Sequence, residues 1–244
     1  MQLLEGENVS KHFGGLAALS NVSFHVDEGE IVGLIGPNGA GKTTLFNVIG
    51  GVYNPDNGII KFKGTKITGR KPHHICRRGV ARTFQITKSF ADMTVIENIM
   101  IGSLFGKESQ RSLKIAREEA TQITEFTGLA EKANLPAGSL FSADSRRLEL
   151  ARALAAKPEI LLLDEVMAGL NPSEVAEAMK LIQRLREEMR ITVFMVEHIM
   201  KSVMGISDRV IVLESGRQIA EGTPKEVSEN PAVIEAYLGE PIEI

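Results

Sequence analysis

Nine residues constrain this chain more than any others. They read GPNGAGKTT, residues 36–44, and they stand between the apolar run EIVGLIG, residues 30–36, and the helix-forming stretch TLFNVIG. The spacing G-x-x-x-x-G-K-[ST], placed between a buried strand and a helix, describes a turn whose backbone N–H groups curl around a phosphate while the helix N-terminus adds positive potential. Gly36, Pro37, Asn38, Gly39, Ala40, Gly41, Lys42, Thr43 and Thr44 are therefore the candidate phosphate contacts. Within that set Lys42 is placed to meet the β- and γ-phosphates of a nucleotide, and Thr43 to ligate Mg²⁺.

The remaining pattern alternates strands with helices. Residues 1–30 alternate apolar and polar side chains, with Gly14, Gly15 and Gly29 between the runs, which predicts short antiparallel strands. GIIKFKG, residues 58–64, reads as another short strand, and ILLLDE (160–165) and TVFMVE (192–197) as buried ones separated by the helix SEVAEAMKLIQRLREEM. From about residue 92 to 157 the period is helical. Thr94 and Glu97 form a capping box, Ile115, Glu119, Ile123 and Phe126 keep a helical spacing, and Leu150, Ala151 and Leu154 mark one face of a further helix. IVLESGRQIAEG, residues 211–222, predicts a terminal hairpin. Buried strands between helices imply a parallel sheet covered on both faces, with the helical stretch as an inserted lobe.

ILLLDE delivers two carboxylates to the C-terminal end of a strand. Asp164 is placed to hold Mg²⁺ and Glu165 to act as general base on the attacking water. Gln85, in ARTFQ, offers a neutral amide that bridges metal and water, and His198 ends the strand TVFMVE with an imidazole for the γ-phosphate. The order Lys42, Gln85, Asp164, Glu165, His198 is what raises Gln85 and His198 above ordinary polar residues at strand ends.

Composition excludes several alternatives. The chain has 244 residues and a net charge of -3 with mixed signs, so it lacks the basic stripe of a nucleic-acid footprint. KGTKITGRKPHH is the most basic run and reads as a solvated turn. Cys76 is the only cysteine, which rules out an intrachain disulfide and suits a cytoplasmic location. The start MQLLEGEN is acidic where a secretion signal is basic, and no apolar run approaches the roughly 20 residues of a membrane span. Attachment to a membrane is expected only through partners.

Taken together, FGGLAALSNVSF, GPNGAGKTT, RTFQITKSFADMTVIENIMIG, LLLDEVMAGLNPSE and VEHIMKSVMGISDRVIVLESGRQIAEGTPKEV resemble the ATP-binding cassette of ABC transporters over essentially the whole chain. The later runs are most similar to the ATPases of branched-chain amino-acid importers. This resemblance implies an α/β P-loop NTPase fold with a RecA-like parallel-sheet core, an N-terminal antiparallel β subdomain and an inserted α-helical subdomain, about residues 90–157 of a single 1–244 domain. It implies ATP and Mg²⁺ as ligands, Phe13 stacking on adenine, and Ala168, Gly169, Leu170 and Asn171 in a loop that crosses a dimer interface. A second cassette, identical or not, and transmembrane permease subunits are the implied partners.

The resemblance fails at one place. Anchored on RRLELARAL, the family signature Leu-Ser-Gly-Gly-Gln falls on Leu140, Phe141, Ser142, Ala143 and Asp144, and the segment between ENIMIG and this turn is short for the subgroup. The serine that meets the partner's γ-phosphate is replaced by phenylalanine. Asp144 is a natural N-cap, yet at 4 to 8 Å from a phosphate its charge would cost on the order of 1 to 3 kcal/mol. Two other functions remain open: a cassette for a different cargo, such as lipopolysaccharide export, against which RTFQ tilts, and a nucleotide-binding scaffold that does not hydrolyse. A chromosome-associated ATPase is disfavoured, because the chain has no long heptad run between phosphate loop and signature.

Overall fold

In the computed structural model, which describes residues 1–83, 89–110 and 112–237, strand and helix alternate much as the hydrophobic pattern dictates. The elements in chain order are β1 (Gln2–Phe13), β2 (Leu16–Asp27), β3 (Ile31–Ile35), α1 (Lys42–Ile49), β4 (Asn57–Phe62), β5 (Thr65–Lys66), α2 (Pro72–Cys76) and β6 (Val80–Arg82). They continue with α3 (Val95–Phe105), α4 (Leu113–Phe126), α5 (Ser142–Ala155), β7 (Ile160–Asp164), α6 (Pro172–Met189), β8 (Thr192–Val196) and α7 (Met200–Ile206). Last come β9 (Arg209–Glu214), β10 (Arg217–Gly222), α8 (Pro224–Ser228) and α9 (Pro231–Ala236).

Two sheets result. An antiparallel one runs β2-β1-β4-β5, and a larger one runs β10-β9-β3-β8-β7-β6 with every neighbouring pair parallel except β10 and β9. Every residue of β3, β7 and β8 is buried, and successive side chains go to opposite faces. Val32, Leu34, Leu162 and Phe194 pack toward α1 and the antiparallel sheet, whereas Ile31, Ile35, Leu161, Leu163 and Met195 pack toward α6 and α7. Covering both faces makes these short strands rigid supports, since each fully buried Leu, Ile or Phe contributes about 1.5 to 3 kcal/mol.

Helices α3, α4 and α5 lie between β6 and β7 in the chain and have a cluster of their own, centred on Val95, Ile99, Ala120, Leu148, Ala151 and Ala155. The capping box at Thr94 and Glu97 is formed as the sequence predicts. The helical period of Ile115, Glu119, Ile123 and Phe126 is borne out by α4, but the packing of these helices adds detail the period does not give. Leu150, Ala151 and Leu154 do not share one neighbour: Leu150 and Leu154 enter the sheet cluster, while Ala151 enters the helical one, because α5 is wedged between both. In α4 the buried stripe is Ala116, Ala120 and Thr124, and Ile115 is exposed. Small residues win that face because α3 and α4 pack closely, a geometry that bulkier side chains would prevent.

The strands at the start are longer than expected, 12 residues each, and are carried by irregularities in the β1–β2 register. The basic run near residue 70 is solvated, but it ends in α2 with Pro72 in its first turn, and β6 was not foreseen from its three residues.

Candidate functional site

β3, β7 and β8 run parallel, so the segments that follow them emerge at one edge of the sheet, where ligands of such folds bind. The segment after β3 is the phosphate loop. Gly36 has φ 149°, and a Cβ there would lie 2.0 Å from the carbonyl oxygen of Leu213. Gly41, the N-cap of α1, has φ 102° and would meet the Ala18 carbonyl at 2.5 Å. Only glycine fits either position. No side chain caps α1 and its first turn carries no acid, so its N-terminal N–H groups remain open to an anion.

Lys42 begins α1 with its ammonium inside the loop, where Nζ donates to the carbonyls of Gly36 at 2.5 Å and Pro37 at 3.0 Å. Burial lowers its pKa, and the charges of Glu165 and Asp164 oppose that shift. Phosphate oxygens would serve the same donor with full charges. Around the loop opens a cleft of about 460 Å³ lined by Phe13, Leu16, Ala17, Ala18, residues 38–44, Glu165, His198 and Ser215. Phe13 stands half-exposed at its edge, braced edge-on by Tyr53 with centroids 5.2 Å apart.

Asp164 closes β7, fully buried. Its Oδ2 accepts from Arg82 Nη2 at 2.7 Å, and Arg82 in turn donates to Asn47 at 2.8 Å and lies over the Phe46 ring. Its Oδ1 is buried with no hydrogen-bond partner. An orphaned carboxylate oxygen suits a hard cation such as Mg²⁺, which takes oxygen ligands and keeps several of them from substrate and water. No cluster of three or more His, Cys, Asp or Glu side chains that could hold a metal ion exists among the described residues.

Glu165 adopts φ 52°, the left-handed region that costs a non-glycine residue about 1 kcal/mol or more and collects at functional sites. Its N–H donates to the Val196 carbonyl at 2.9 Å, and its Oε1 lies 2.7 Å from His198 Nε2. Strand pairing brings these two residues together across 33 positions of sequence. Gln85 lies outside the described residues. Glu197 went unnoticed in the sequence, although a carboxylate directly after TVFMV and directly before His198 is itself a signal. It is buried, and its Oε1 accepts the Met167 N–H at 2.7 Å.

The altered turn is not part of this cleft. Leu140 precedes α5, Phe141 is its N-cap without a side-chain bond, and the residue is 84% exposed. Ser142, Ala143 and Asp144 form the first turn. Asp144 is not the expected cap: it occupies the third position, where its buried carboxylate pairs with Lys132. The carboxylate goes to Lys132, which approaches from the preceding segment, and the shorter Asp144 does not reach back to the N-cap amide as the glutamate at the same position of α3 does. The amide edge of α5 is consequently open. In the loop Ala168, Gly169, Leu170 and Asn171, Gly169 has φ 75°, Leu170 packs against the sheet cluster, and Asn171 caps α6 through the N–H groups of Ser173 and Glu174.

The sequence profile of the ABC transporter family matches residues 19–168. The chain belongs to the ABC transporter family. It is an ATPase cassette, with the mixed α/β architecture of that group. A second profile, the branched-chain amino acid ATP-binding cassette transporter, matches residues 217–243. The cassette is 44% identical over 250 residues to the high-affinity branched-chain amino acid transport ATP-binding protein BraF of Pseudomonas aeruginosa, covering 98% of each chain. It is 46% identical to the LivG protein of the same description from Salmonella typhimurium, again with 98% of each covered. Among solved structures, a nucleotide-free ATP-binding cassette from an ABC transporter superposes with a TM-score of 0.89 at 33% identity, covering 98% of this chain and all of that one. A dimeric cassette in a post-hydrolysis state bound to ADP and Pi matches with a TM-score of 0.81 at 27% identity over 91% of this chain and 99% of that one. No helix among the described residues is long and apolar enough to cross a membrane.

Proposed function

We propose that this cassette hydrolyses ATP to drive an importer of branched-chain amino acids, working as a dimer with a second cassette beneath transmembrane permease subunits at the cytoplasmic face. The observation that carries the hydrolytic part is the Glu165–His198 pair, 2.7 Å apart beside a phosphate loop whose helix start is uncapped. The cargo is supported by the names of the relatives and by the C-terminal profile, which disfavour lipopolysaccharide export.

The chemistry follows from the side chains. Lys42 and the open N–H groups of α1 hold the β- and γ-phosphates, and Phe13 provides a face for adenine. Thr43 and Asp164, with Gln85 as a further proposed ligand, would hold Mg²⁺, which would supply charge neutralisation at the phosphates. Glu165 takes a proton from water as its oxygen bonds to the γ-phosphorus, and the bond from that phosphorus to the bridging oxygen breaks, with the electrons passing to ADP. His198 orients Glu165 and donates to the transferred phosphoryl group. A non-hydrolysing scaffold would have no use for a base in the strained conformation of Glu165.

Residues of about 90–157 act as the lobe that carries α5 to the partner, where its uncapped amides face the nucleotide bound on the other cassette. Residues 168–171 cross between the two. The apolar groove between this lobe and the core, about 300 Å³ with Ile101, Phe105, Val52 and Ala153 in its walls, receives a segment of the permease. The test is Glu165→Gln, which keeps shape and hydrogen bonding but removes the base. The variant is expected to bind MgATP like the parent and to accumulate as an ATP-bound dimer with turnover lost, by calorimetry and phosphate release. Hydrolysis at the parent rate would refute the assignment.

A further inference from the structure

A buried carboxylate is costly unless its bonds serve something. Glu197 follows the five apolar residues of β8 and is 1% exposed. An apolar residue in its place would avoid the penalty. Burial raises its carboxyl pKa to about 7, the charge of Glu165 adds to that shift, and Arg146 of α5 opposes it.

The carboxylate holds a backbone donor from the other segment. The donor is the Met167 N–H at 2.7 Å, and Glu197 itself directly precedes His198 in the chain. Met167 lies two residues after Glu165, so both segments that carry the catalytic pair are tied to one side chain. Their backbones are also joined at this point by the bond from Glu165 N–H to the Val196 carbonyl. Beyond Met167 the chain turns on the weaker links Ala168 N–H to Glu165 and Leu170 N–H to Met167, each 3.2 Å, and then enters residues 168–171.

We propose that Glu197 is a positioning residue that clamps the segment after β7 to the segment after β8, and so sets the distance between Glu165 and His198. The clamp also anchors the start of the loop that reaches the second cassette. It rests on the assignment of Glu165 as base. A misplacement of about 1 Å at a reacting centre costs up to about a hundredfold in rate, so loss of the clamp acts on kcat and leaves the phosphate loop intact.

The experiment uses the full chain in its transporter complex, with Glu197→Met, close in volume but without an acceptor, and Glu197→Gln, which keeps one. E197M is expected to bind MgATP within about twofold of the parent, with KM similarly unchanged and kcat reduced at least about tenfold. E197Q is expected to recover most of the turnover. In a His198→Ala background, E197M is expected to cost less than about threefold more, because the pair it positions is already broken. Parental kcat in E197M, or a full additional loss in the H198A background, would overturn the proposal. Should E197M fail to fold, Glu197→Asp, charged but one methylene shorter, takes its place with the same expected kcat loss. E165Q measured alongside separates the two claims: parental turnover there overturns the base, whereas an inactive E165Q with parental E197M overturns the clamp alone.

Discussion

Lys132→Ala tests the role given to the altered turn. In the folded chain the carboxylate of Asp144 pairs with Lys132, whose side chain is 42% exposed while that of Asp144 is 12% exposed. The pair has no net charge, so the repulsion expected from an aspartate at the start of α5 is largely cancelled. In the proposed dimer, removing the lysine would leave one negative charge facing the partner's nucleotide. At a separation of about 8 Å and an effective dielectric of about 40, each unit of phosphate charge is opposed by about 1 kcal/mol, or about fivefold in association. Loss of the ion pair itself costs roughly 0.5 to 1 kcal/mol of folding stability, since the lysine is partly solvated. ATP-driven dimerisation by size exclusion and phosphate release are expected to fall about fivefold at 0.05 M salt. The deficit is expected to narrow at 0.5 M, where charges are screened over a few ångströms. Asp144→Asn in the same background is expected to restore both quantities. Parental behaviour of Lys132→Ala, or an equal defect in the Lys132→Ala, Asp144→Asn double variant, would show that this carboxylate does not act on nucleotide.

Two further outcomes are expected. Lys42→Ala removes the only ammonium inside the phosphate loop among the described residues and should abolish MgATP binding in calorimetry, while thermal unfolding of the apo chain changes little. Glu197 titrates near 7 when folded and near 4.5 when unfolded, so between those values the native state binds more protons and stability falls as pH rises. The total is about 3 kcal/mol at most, spread over that window and constant above it. Glu197→Gln, lacking the carboxyl, should therefore gain stability over the parent on going from pH 5 to pH 8 in urea unfolding. An unchanged difference between the two proteins would contradict the burial of that group.

The phosphate loop, Asp164, Glu165, the capping box at Thr94 and the buried strands were all legible in the sequence. Each is written in residues adjacent along the chain, and the interactions that define it are local: φ at Gly36 and Gly41, the helix start at Lys42, the continuous apolar runs of β3, β7 and β8. A stretch of nine residues is enough to specify a phosphate cradle because the backbone supplies the donors. His198 was legible for a weaker reason, its place at the end of a strand.

Other features depend on which distant segments meet. Arg82 neutralises Asp164 across 82 positions, and the single-residue signals at either end say nothing of the pairing. The two-sided packing of α5 leaves Leu150 and Ala151 with different neighbours, which a helical period cannot distinguish. Asp144 carries the composition of a cap, yet its carboxylate pairs with Lys132 from the preceding segment, a partner that the local pattern does not reveal. Glu197 is a short carboxylate in the sequence and a clamp only in the fold. Periodicity and propensity report the energy of a residue against its immediate chain. The charges and donors that a side chain finally faces are set by strands and helices brought together from elsewhere, and those were decided by the tertiary structure alone.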